Sequence, residues 1–185
     1  MTFLYIVLGL AAAIVVYAIV TYNKLVSLRV RVNEAWSGIE VHMKERYNLI
    51  PNLVETVKGY AKHESETLER VVEARSSAFN QHGSPSEQAG VENMLSGALK
   101  SLFALAESYP DLKANENMLR FQEELSSTEN KVAFSRQAFN DAVLGYNNAC
   151  ETFPSNIVAN TFNFRMGDFL EVDSPQKRDA PVVSF

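Results

Sequence analysis

Between Met1 and Lys24 the chain carries no charged side chain, and Phe3 to Val20 is apolar almost without interruption. At a helical rise of about 1.5 Å per residue, a run of this length covers about 30 Å, the hydrocarbon thickness of a bilayer. Its side chains are mostly Ile, Val, Leu and Ala, with Tyr5, Tyr17 and Tyr22 placed where interfacial rings sit. The sequence therefore predicts a transmembrane anchor over residues 1–23. Phe3, Leu4, Ile6, Val7, Leu8, Leu10, Ile14, Val15, Val16, Ile19 and Val20 are its span residues. The alternatives are a cleaved secretory signal and a buried core helix. A signal peptide needs a basic start, a shorter apolar core and a small-x-small cleavage site. Nothing basic precedes the run, and Tyr17 to Lys24 offers no such site. Gly9 and Ala13 form one small-x-x-x-small pair, a weak signal for close helix association.

Lys24, Arg29 and Arg31 follow the span closely. The positive-inside rule then puts residues 24–185 in the cytoplasm and the N-terminus outside, as a single-pass protein. The net charge of −5 and the lack of a basic stripe argue against nucleic acid as a partner. A single cysteine, Cys150, excludes an internal disulfide framework. Glycine and proline are scarce (8 and 6), so the remainder is expected to be all-α, in one domain.

Beyond the span, apolar residues recur at Leu25, Leu28, Val32, Trp36, Ile39, Met43, Ile50, Val54, Val57 and Ala61. Where unbroken from Val32 on, the steps alternate four and three, the stripe of a bundle helix over residues 24–62. Pro51 sits inside it and predicts a kink. A second helix is expected over 65–80, with Ser65 as N-cap and Leu68, Val71, Val72, Ala78 and Phe79 inward. Asn, Gly and Pro between residues 80 and 86 mark a loop. A third helix over 86–109 buries Val91, Met94, Leu95, Leu99, Leu102, Phe103 and Ala106, and Tyr109-Pro110 turns the chain. The fourth, 112–152, turns Leu119, Leu125, Val132, Phe139, Val143 and Tyr146 inward.

Two long and two short helices with brief connections predict an elongated antiparallel four-helix bundle over residues 24–153. The fourth helix then brings the apolar, aromatic-rich segment 154–173 back to the membrane side. Phe153, Ile157, Phe162, Phe164 and Phe169 are its candidate interfacial contacts. Capping the open base of the bundle is the alternative use of these side chains. Residues 174–185 are expected to be a flexible tail.

Chemistry is sparse. His42, His63 and His82 lack Cys partners and i,i+4 pairing, and the acidic residues Glu64, Glu66, Glu69, Glu73, Glu123 and Glu124 lack the Glu-x-x-His pairs of a di-metal bundle. No phosphate loop or nucleophile elbow is present. No enzyme activity, metal, cofactor or small-molecule substrate is predicted. Asn48, Asn52, Asn115, Asn130, Asn147 and Asn148 are unusual in helices. They read as helix ends and repair around Pro51, with an inter-helix polar ladder as the alternative. Trp36 is expected in the core beside the fourth helix, or else as an anchor for a partner.

Several stretches, in order along residues 20–172, carry a resemblance. They are Tyr22-Asn23-Lys24-Leu25-Val26, Ala35-Trp36-Ser37-Gly38-Ile39, the run from Tyr47 to Ala61, Tyr109-Pro110-Asp111-Leu112-Lys113-Ala114-Asn115, Thr128-Glu129-Asn130, Tyr146-Asn147-Asn148 and Phe153-Pro154-Ser155-Asn156. They resemble the LemA family of bacterial membrane proteins. The resemblance implies an N-terminal transmembrane helix, a cytoplasm-facing helical bundle and no established reaction. Asn48 stands where the family usually has an acidic residue, and Asn163-Phe164 where it often has Gly-Phe, which puts the bend of the tail in question. The expectation is a scaffold at the bacterial inner membrane, in contact with the lipid bilayer and with a protein partner or a second copy. A membrane-shaping or lipid-contacting protein is the alternative, prompted by the aromatic tail and by a magnetosome member of the family. An adaptor for a membrane protease is implied by the resemblance alone.

Overall fold

The computed structural model describes residues 1–61, 63–81 and 83–170. The described residues are helical throughout their ordered elements: α1 (Thr2–Tyr60), α2 (Ser65–Asn80), α3 (Pro85–Glu107), α4 (Pro110–Lys113), α5 (Glu116–Glu151) and α6 (Ser155–Thr161). The predicted span and the helix expected over residues 24–62 are one element. No charge cluster, glycine or proline interrupts Val20 to Lys24, and α1 continues for 59 residues, about 88 Å at the helical rise.

The helix α5 returns along α1 in a fixed antiparallel register. Leu25 packs with Tyr146 and Cys150, the Trp36 ring meets Phe139 edge-on at 5.5 Å, Lys131 reaches Glu45 at 3.4 Å, and Asn115 donates to the Tyr60 hydroxyl at 3.0 Å. On α1 the buried stripe runs Ile39, Met43, Arg46, Ile50, Leu53, Val57; on α5 it runs Met118, Phe121, Leu125, Thr128, Val132, then Phe139 and Val143. Steps of three and four keep one seam of each helix facing the other. That periodicity overrides polarity: Arg46 and Thr128 hold seam positions. It also corrects some expectations. Leu53 is buried where Val54 was expected, and Met118 with Phe121 replaces Leu119, which is exposed. Val72, Phe79 and Met94 are exposed, while Val91 and Phe103 are half-buried. Trp36 is half-buried against α5 and donates its Nε1–H to Glu40 at 2.9 Å.

The helices α2 and α3 pack on each other and, with α1, enclose the core at the end far from Thr2. Their ends differ in small ways from the sequence reading. Glu64, not Ser65, precedes α2, and no side chain caps it. A reciprocal capping box of Ser84 and Glu87, with Pro85 in the first turn, starts α3. The expected 112–152 helix is divided. Pro110 opens the single turn α4, and Asn115 then accepts from the backbone N–H groups of Asn117 and Met118 to start α5. The predicted tail 174–185 lies outside the described residues.

Pro51 lies within α1. Lacking an N–H, it leaves the Tyr47 carbonyl without its helical donor. Arg75 of α2 supplies one from outside: its Nε–H donates to that oxygen at 2.8 Å. Asn48 and Asn52, expected to make the repair, are exposed. The helix is mended by its neighbour. Arg75→Met is therefore expected to cost about 1–2 kcal/mol, and much less when Pro51→Ala restores the internal donor. A four-member denaturation cycle measures that coupling.

Candidate functional site

Two places concentrate features that packing alone does not require. The first is the base, where α1 leaves its apolar segment. Every predicted span residue is 45–78% exposed to the surroundings of the protein. Cover begins at Thr21 and Leu25, which are buried, and a groove between Tyr17, Thr21, Lys24 and Leu25 on α1, Asn148 and Ala149 on α5 and Thr152 just past its end marks the level. Helix α6 docks here. Its Val158 and Ala159 are buried with Leu25 and Tyr146, and Tyr22 meets the Phe162 ring at 4.9 Å and the Phe164 ring at 5.5 Å, both edge-on.

The five candidate interfacial residues separate. Phe153 (75%), Ile157 (58%) and Phe162 (54%) are exposed, and Phe162 meets Tyr22 of α1. Phe164 is buried, with the Arg29 guanidinium 5.3 Å above its ring, so it caps the base instead. Phe169 is exposed but is carried up the side of α5, away from the base. The reason is a tether. Asn147 donates to the Gly167 carbonyl and accepts from the Gly167 N–H, both at 2.9 Å. Asn140 does the same for Leu170, at 3.1 and 2.9 Å. Each asparagine thus satisfies both backbone groups of one residue, and the segment after α6 climbs about 10 Å along α5 between them. Leu170 ends buried in the main core.

The bend that starts this climb is at Asn163, whose φ is 57°. Among residues other than glycine, asparagine is one of the few that visits this left-handed region readily. The tail therefore bends although Gly is absent. The asparagines of α5 were read as helix ends or a polar ladder; Asn115 is a helix end, whereas Asn147 is neither.

The second place is a polar junction inside the core, which sequence reading missed. Arg46, Glu92, Gln88 and Tyr47 are all buried. Arg46 donates from Nη1 to Glu92 at 3.3 Å and from Nη2 to the Ser96 hydroxyl at 2.9 Å. The Tyr47 hydroxyl donates to the other Glu92 oxygen and accepts from the Gln88 amide at 3.2 Å. Burial, reinforced by the Glu92 hydrogen bond, pushes the Tyr47 hydroxyl far above its ordinary range, so it remains a donor. The available signal was the seam itself, since Arg46 sits where the four-three rhythm demands a buried residue.

Of the remaining titratable candidates, His42 pairs with Glu45 on an exposed face, His63 is exposed and His82 lies outside the described residues. Glu64 accepts from the Tyr109 hydroxyl at 3.1 Å, while Glu66, Glu69, Glu73 and Glu123 face solvent. Among the described residues no three His, Cys, Asp or Glu side chains converge.

The LemA family profile matches residues 35–185. Protein LemA of Metamycoplasma hominis is 30% identical over 140 residues, covering 74% of this chain and 63% of that protein. The magnetosome protein MamQ of Magnetospirillum gryphiswaldense is 25% identical over 197 residues, covering 93% of this chain and 72% of that protein. The chain thus spans under two thirds of the first relative. The profile begins at Ala35, so the membrane reading of α1 stands on its own apolar composition.

Proposed function

The chain belongs to the LemA family, and from that premise we propose that this membrane-associated protein is a non-catalytic scaffold of the bacterial inner membrane. It crosses once with its N-terminus outside and holds an elongated four-helix bundle in the cytoplasm. One observation carries the reading: the bare apolar segment of α1 runs without a break into the long α1–α5 pair. Such a rod sets its far end about 50 Å from the bilayer by helical rise. There and along its flanks, Val72, Met94 and Leu119 are at least half exposed, apolar contacts available to a protein partner or a second copy. Native mass analysis of the full-length protein, extracted gently from its own membrane, tests this. A defined homo- or hetero-assembly is expected; a lone monomer without a co-purifying partner contradicts it.

A second reading, lipid contact by the base, is favoured by the exposure of Phe153, Ile157 and Phe162, the last of them packed on Tyr22. Such rings bury readily in the headgroup boundary. In that case residues 24–185 float with liposomes, and Phe153→Ser with Ile157→Ser abolishes flotation at unchanged helicity.

A further inference from the structure

Beside the polar junction a cleft of about 390 Å³ opens between α1, α3 and α5. Arg46, Ser96, Glu129, Arg136, Gln137 and Asn140 line it. Its donors outnumber its acceptors. The Nε–H groups of Arg46 and Arg136 are both buried and without a hydrogen-bond partner. Arg46 belongs to a side chain only 4% exposed, and its other two nitrogens are already engaged by Glu92 and Ser96. Arg136 makes no hydrogen bond among the described residues and has no salt-bridge partner within 4.0 Å there. Glu92 balances one guanidinium, and exposed Glu129 at the rim is the other carboxylate. Burial lowers the Arg136 pKa, and Arg46 lowers it further, against the opposing pull of Glu92. A guanidinium whose buried Nε–H has no hydrogen-bond partner, beside a second such N–H in the same cleft, is the arrangement that an oxyanion completes.

We propose that this cleft binds a small soluble oxyanion of the phosphate class, held by Arg136 and by the free Nε–H of Arg46. Phosphate suits the site better than a carboxylate, because its tetrahedral oxygens can meet two guanidinium groups approaching from different helices. A lipid headgroup is the other source of the same chemistry, and position argues against it. Arg136 lies on α5 about 18 Å beyond Asn148, the residue level with Lys24 at the base, whereas the headgroup layer is about 5–8 Å thick on each side. The site is independent of the scaffold reading.

The probe is inorganic phosphate, titrated against the full-length protein in neutral detergent at constant ionic strength, with chloride as balance. Unfolding midpoint and binding heat are the readouts. The wild type is expected to show saturable binding and a rising midpoint. Arg136→Gln is expected to bind about tenfold more weakly or not at all. That variant is expected to keep the fold, because Arg136 is only half-buried and its Nε–H has no hydrogen-bond partner to lose. Arg120→Gln, an exposed control, is expected to behave as the wild type. Equal phosphate binding by wild type and Arg136→Gln overturns the proposal, as does no saturable binding by the wild type. A shift produced by anionic lipid in the micelle, lost in Arg136→Gln and absent with phosphate, replaces the soluble ligand with a headgroup and overturns the assignment.

Discussion

Glu92→Ala is expected to lower the unfolding free energy by about 3–5 kcal/mol. Glu92 is 1% exposed, and its carboxylate is the acceptor for both Arg46 and Tyr47. Removing it leaves the Tyr47 phenol inside the core with no acceptor and the buried Arg46 guanidinium with the Ser96 hydroxyl as its one remaining partner. The asymmetry matters here. An intact buried pair is worth little over an apolar one, whereas a broken pair incurs the desolvation cost of the survivor. Arg46→Met combined with Glu92→Leu is therefore expected to be near neutral or stabilising. Urea unfolding of the two variants, compared at unchanged slope, checks the pair. If Glu92→Ala costs under 1 kcal/mol, water already serves the junction.

The second large effect concerns the tether. Asn140→Leu with Asn147→Leu is expected to cost about 2–4 kcal/mol, because four hydrogen bonds to the backbone of Gly167 and Leu170 disappear together. The loss is local in character. Amide exchange at Gly167 and Leu170 is expected to accelerate strongly, while α1 and the upper part of α5 keep their protection. Proteolysis after Phe162 is expected to rise in parallel. Uniform acceleration throughout α5 would show instead that the asparagines hold the helix and not the tail.

Much of this arrangement was legible in the sequence, and the misses share a cause. The long apolar N-terminal helix was readable because it is a continuous apolar run, and α2 was placed at 65–80 because Leu68, Val71 and Ala78 give a clear helical face. The return of the chain to the base followed from helix lengths and short turns. Failures arose where side-chain chemistry and position disagree. Apolar Leu119 and Met94 point outward, while Arg46, Glu92 and Thr128 sit inside. A list of hydrophobes cannot find an arginine on a seam, although the missing step between Met43 and Ile50 marked its place. The Arg75 repair of Pro51 and the Asn147–Gly167 pair join residues 28 and 20 positions apart. Such contacts depend on tertiary register, which no local pattern encodes. Asn163 is the reverse case: its identity does foreshadow the bend, once asparagine is read as a residue tolerant of positive φ.

We propose that α1 crosses the bilayer and seats the exposed base of the protein at its surface. Tryptophan quenching by lipids brominated near the headgroup tests it most directly, because the chain has one tryptophan. Trp36 lies about 18 Å beyond Lys24 along α1, so the reconstituted wild type is expected to show little quenching. Phe153→Trp in a Trp36→Phe background moves the reporter to the base, and strong quenching is expected. Strong quenching of Trp36, or none of the Phe153→Trp reporter, would contradict the account.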